Sequence, residues 1–146
     1  MTWIDDINKV YNEYFKDSFG KLGLWKYEEM ERPGMGALIK FKNDSFRLQI
    51  INDRGLLDMD ISSLHGGEQF RGVEMFNLLL RLENNSGLSE SDRKEILGTR
   101  LDYIGQRDFL LKNAGQLKNL LDKTNYKDTL KRIDALERER FGFQFK

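Results

Sequence analysis

Phe46-Arg47-Leu48-Gln49-Ile50-Ile51-Asn52-Asp53-Arg54-Gly55-Leu56-Leu57-Asp58-Met59-Asp60-Ile61 is the stretch on which the fold turns. Apolar and polar residues alternate on both sides of a turn signal, and a period of two marks a half-buried strand. Phe46, Leu48 and Ile50 share one face, with Arg47 and Gln49 on the other. Past Asn52-Asp53-Arg54-Gly55, Leu57, Met59 and Ile61 point inward while Asp58 and Asp60 point outward. So short a connection implies antiparallel neighbours. Upstream, Ala37, Ile39 and Phe41 form one face of another strand, closed by an Asn43-Asp44 turn. A first strand is expected near 24–30, followed by a loop holding Pro33, Gly34 and Gly36. The expectation is a three- to four-stranded antiparallel meander over about 24–62, with one apolar face for helices to cover.

Helical periodicity flanks the meander. Trp3, Ile4, Ile7, Val10, Tyr11, Tyr14 and Phe15 recur at three- and four-residue steps. Thr2 is placed to cap that helix, Asp5 and Asp6 suit its first turn, and Gly20 is the expected stop. After His65-Gly66-Gly67, the residues Phe70, Val73, Phe76, Leu79 and Leu80 form a second helical stripe. Ser89 then reads as the cap of a short helix reaching Leu97. A longer helix is expected to start at Thr99 or Arg100 and to run to Leu121, weakened at Gly105 and Gly115. A last helix covers about 125–140 with Tyr126, Leu130, Ile133 and Leu136 inward. The apolar end Phe141-Gly142-Phe143-Gln144-Phe145 is expected to dock on the core or to add a strand.

Strands and helices are segregated, which defines an α+β class: one N-terminal helix, the meander, then three to four helices packed on one sheet face. No repeat or linker divides the chain, so residues 1–146 are expected to form a single domain.

Composition narrows the function. The 24 basic and 24 acidic residues cancel, whereas proteins that live on nucleic acid usually carry a basic surplus. No nucleic-acid partner is expected. Residues 107–146 hold ten basic and six acidic residues, which reads as the solvated face of two helices with pairs such as Asp128–Arg132 and Asp134–Arg138. Cysteine is absent, which removes disulfides and thiolate chemistry and suits a cytoplasmic, reducing compartment. The opening residues lack the pattern of a signal peptide, and no apolar run approaches a membrane span.

The residues that bear chemistry are few. His65 is the lone histidine, either a general base or an ordinary loop residue. Asp58 and Asp60 lie about 6.6 Å apart along one strand face, spaced to hold a divalent cation or simply to face water. Glu68 follows Gly66-Gly67, where it would repel a phosphate at a helix start; neither phosphate-loop nor dinucleotide spacing is present. No cofactor and no metal site is expected.

The stretch Phe46-Arg47-Leu48-Gln49-Ile50-Ile51-Asn52-Asp53-Arg54-Gly55 resembles a strand and turn of small bacterial proteins from toxin–immunity loci. Asn125-Tyr126-Lys127-Asp128-Thr129-Leu130 is similar to their closing pattern, as is the order of elements. The resemblance implies a cytoplasmic inhibitor that binds one toxin domain, and it brings no active-site residues with it.

The expectation that follows is a non-catalytic binding protein with a protein partner, using the polar sheet face with Arg47, Gln49, Asp58 and Asp60. Two alternatives stand beside it: a small metal-dependent hydrolase built on Asp58, Asp60, His65 and Glu68, and a structural adaptor subunit.

Overall fold

A computed structural model of the chain describes residues 2–144. Its centre is an antiparallel sheet in the order β1-β2-β3-β4-β5, a plain meander. The strands are β1 (Trp25–Arg32), β2 (Gly36–Lys42), β3 (Phe46–Asp53), β4 (Leu56–Ser63) and β5 (Arg71–Gly72). The expected meander is present, extended by β5, a strand too short to show a period.

The turns follow from their residues. Asn43 Oδ1 accepts from the backbone N–H of Ser45 and Phe46, closing the β2–β3 turn. Between β3 and β4, Arg54 and Gly55 both take positive φ, as a two-residue hairpin turn matched to strand twist demands. Asn52 Oδ1 accepts from Gly55 N at 2.7 Å and pins that turn. Gly36 is the one glycine that backbone crowding dictates, since a Cβ there would stand 2.0 Å from the Asn52 carbonyl oxygen.

The first helix has three parts: α1 (Trp3–Val10), a π-helical segment (Tyr11–Phe15) and α2 (Lys16–Lys21). Thr2 and Asp5 form a reciprocal capping box at its start. Gly20 does not stop it. The stop is Gly23, at φ +69, where Leu24 N–H reaches Phe19 O and Gly23 N–H reaches Gly20 O. In an unbroken α-helix Phe19 would lie about 120° around the axis from Ile7. The π segment absorbs the offset, and Ile7, Phe15 and Phe19 are all buried in the same core.

That helix covers the apolar sheet face, with α1 against β2 and β3. Tyr11 stacks on Phe41 at 5.4 Å between ring centroids, and Phe19 meets the same ring edge-on at 4.9 Å. Ile39, Leu48, Ile50 and Ile61 complete the layer.

The C-terminal half supplies α3 (Val73–Glu83), α4 (Glu90–Leu97), α5 (Tyr103–Leu120) and α6 (Tyr126–Gln144). The Ser89 cap is present, its hydroxyl accepting from Asp92 N. Helix α5 starts later than Thr99 or Arg100, because Asp102 is its cap and accepts from Gly105 N at 2.7 Å. Neither glycine breaks it. The irregular residue is Asn113, whose side-chain amide donates to Phe109 O and competes with the helix ladder.

These helices join the sheet at its β4–β5 end. Ser63 Oγ donates to Leu121 O at 2.7 Å, and Tyr103 of α5 lies against Tyr14 and Phe15. Asp128–Arg132 forms as expected, but Asp134 turns instead to Arg71 of β5, which donates to it through two nitrogens. Arg93 and Glu139 make a similar paired contact between α4 and α6. The segment beginning at Phe141 adds no strand as far as it is described. It continues α6 to Gln144, with Phe141 exposed, and Phe145 lies outside the described residues. One buried cluster runs from Ile7 to Leu136. Among the described residues no helix is long and apolar enough to cross a membrane.

Candidate partner-binding surface

Among the described residues, no helix is laid along β2 and β3 on the sheet face turned away from α1. Its side chains follow from strand parity: Leu38, Lys40 and Lys42 on β2, Arg47, Gln49 and Ile51 on β3, Asp58 and Asp60 on β4. Register places Glu28, Lys40, Gln49 and Asp60 side by side across four strands.

Lys40 is the hub of that row. Its Nζ lies 2.6 Å from a carboxylate oxygen of Glu28 and 2.6 Å from one of Glu68. Tyr27 donates its hydroxyl to the other oxygen of Glu68 at 3.0 Å. Burial acts to lower the Lys40 pKa, yet its hydrogen bonds to the two carboxylates outweigh that and move it upward. The Lys40 hydrogen bond in turn holds Glu68 below its ordinary range. Burial, and then the Glu68 contact, push Tyr27 up to about 12. Two strands and the 64–70 loop are thereby clasped at one point.

Arg47 and Gln49 work behind the surface. Arg47 is half-buried and donates to the carbonyls of Ser63 and Leu64. Gln49 is only 7% exposed and donates to Asp60 at 3.0 Å. Burial raises the Asp60 pKa, Gln49 opposes the shift, and the neighbouring Asp58 adds to it. Asp58 is exposed.

The four residues of the hydrolase alternative go separate ways. Glu68 belongs to Lys40 and Tyr27, while the His65 ring lies 6.1 Å from that of Tyr126 on α6. Asp58 and Asp60 sit at the β4 edge. Among the described residues no three acidic, imidazole or thiol groups gather to hold a metal ion.

No family model matches the chain, no curated protein matches it, and no solved structure matches its fold. The site therefore stands on its own geometry.

Two hollows flank the charged row. Met30, Met35, Leu38 and Ile51 help to line one of about 350 Å³ at the β1–β2 hairpin end, where Met30 and Met35 are exposed. The other, of about 590 Å³, lies between Leu57–Asp60 of β4, the Gly72–Glu74 corner and residues 100–103 with Gln106. Sequence reasoning missed the methionine hollow, although a signal existed. Ile50 and Ile51 are adjacent in a strand, so one of them must face outward. The Lys40 clasp was not legible, because Glu68 reaches it from a loop.

Proposed function

We propose that this chain is a non-catalytic binding protein, an immunity-type inhibitor that neutralises a cognate bacterial toxin in the cytoplasm by protein–protein contact. The observation that carries the reading is the outer sheet face, where the apolar Met30–Met35–Leu38–Ile51 hollow adjoins a charged row. An apolar centre with a polar rim is the anatomy of a protein interface. Methionine suits such a centre because its side chain adapts to irregular partners. A standard interface takes roughly 800 Å² from each partner, comparable to one face of a small sheet. The resemblance of the β3 strand and turn to immunity-locus proteins points the same way, as does the lack of cysteine.

Co-expression with the toxin encoded beside it tests the proposal. Host growth is restored, the two chains elute as one complex, and Met30→Lys with Met35→Lys abolishes both effects. A neighbouring toxin that kills regardless and forms no complex overturns it.

A further inference from the structure

The sheet ends on two edges of opposite character. The β1 edge, Trp25–Arg32, is eight residues long, carries Lys26, Glu28, Glu29, Glu31 and Arg32, and has an irregular register at Tyr27. Charges and a bulge are the usual means of closing an edge to strand addition. The opposite edge is different. Strand β5 pairs with β4 only at Asp60 and Ile61, so residues 56–59 of β4 have no strand on that side. The chain would have to continue past Gly72 to fill the lane, but it turns into α3 instead. The 590 Å³ cleft occupies that vacated lane. Its volume falls among those of ordinary ligand clefts.

The lane has a sign. Glu74 is engaged by Leu101 N–H, by Arg100, the one cation among the residues lining the cleft, and by Arg140 at 3.7 Å. Asp102 is committed to capping α5. Among the described residues Asp58 has no ion-pair partner, and Asp60 has Gln49 as its one hydrogen-bond partner. Both carboxylates lie on the outer side of the strand, while the half-buried Leu57 and Leu101 offer apolar surface to the other side of the lane, above the buried Met59 and Val73.

We infer that this lane accepts an extended basic segment of a partner protein, laid antiparallel along residues 56–59 as a further strand. Backbone hydrogen bonds to an open edge give such binding its affinity, and alternate side chains give it specificity. The alternation here asks for Lys or Arg opposite Asp58, within diagonal reach of Asp60, and for apolar residues on either side of it. A second copy of this chain does not fit. Its own β4 edge would set Asp58 and Asp60 against themselves, and its β1 edge would bring Glu28, Glu29 and Glu31. The inference deepens the binding reading by naming the chemistry of the partner segment, and it takes from that reading only that the partner is a protein.

Selection of displayed random octapeptides on the intact chain tests it. The enriched peptides place a basic residue between apolar ones, and added salt weakens them. A synthetic peptide of the enriched sequence slows amide exchange at residues 56–59. Asp58→Lys, at an exposed position that leaves thermal unfolding in place, lowers its affinity by about tenfold or more. N-methylation of alternate peptide bonds abolishes binding. The inference is overturned by failure to enrich any peptide, by enrichment of acidic sequences, by protection elsewhere on the sheet, or by a dimer of the chain that protects 56–59. Its failure is separable from that of the inhibitor reading. Toxin neutralised equally well by the Asp58→Lys variant removes the edge inference alone, whereas peptide capture without neutralisation of any toxin removes the inhibitor reading alone.

Discussion

Ile39, Leu48 and Ile61 stand one residue along from Lys40, Gln49 and Asp60, on opposite faces of the same three strands. The inner row shares its face with Phe41, which meets aromatic rings from the first helix, and the attraction there depends on area and fit. The outer row meets named partners: Lys40 holds Glu28 and Glu68, and Gln49 holds Asp60. Area-driven burial supplies most of the stability of a fold, while partly exposed ion pairs contribute little and fix orientation. One face therefore holds the molecule together, and the other holds a surface in shape.

The largest way to break that division is on the inner face. Leu48 is fully buried, and Leu48→Ala is expected to cost about 2–5 kcal/mol in urea unfolding. On the outer face Lys40→Met leaves two partly exposed carboxylates without their shared cation, for about 1 kcal/mol once solvent screening is counted. A larger loss from Lys40→Met than from Leu48→Ala would invert the comparison.

Two carboxylates sharpen it through pH. Glu68 is held below its ordinary range by Lys40, so its contribution is present above that range and is lost as pH falls through the lowered value. Glu68→Gln is expected to cost about 0.5 kcal/mol at neutral pH, a figure reduced by solvent screening, and to match the parent in acid. Asp60 runs the other way. Its raised pKa means that its stabilising form is the protonated one, present below the ordinary carboxylate range and lost as pH rises through the raised value. Asp60→Asn is therefore expected to unfold later than the parent at neutral pH, with the gap closing in acid. Thermal melts across the acid range read both signs. The smallest effect on stability belongs to Met35→Ser, within about 0.5 kcal/mol, although the proposed inhibitor role expects that change to weaken binding to a partner.

The parts of the fold that were legible in sequence are those with a local cause. Alternation in 46–61, the Asn-led turns and the caps at Thr2 and Ser89 each depend on neighbours within a few residues. The parts that were not legible depend on distant partners. Helix α5 begins at Tyr103 because Asp102 caps it and Glu74, from another helix, takes the Leu101 N–H. Asp134 leaves its four-residue neighbour Arg138 for Arg71, which the short β5 strand delivers. At the candidate surface, parity placed Arg47, Gln49, Asp58 and Asp60 correctly on one face. It did not reveal that Gln49 is buried, or that the 64–70 loop reaches Lys40 through Glu68.

The π-helical segment at Tyr11–Phe15 leaves the N-terminal helix sensitive to residue count as well as residue type. Excising the exposed Glu13 removes no buried group, yet it would let the segment rewind into a regular α-helix. Everything downstream would keep its bearing, because eleven residues at about 100° each leave Phe19 only about 20° around the axis from Ile7 and still turned to Phe41. That residue is thus the extra one the π segment accommodates, and its omission would be milder than the insertion of another at the same place.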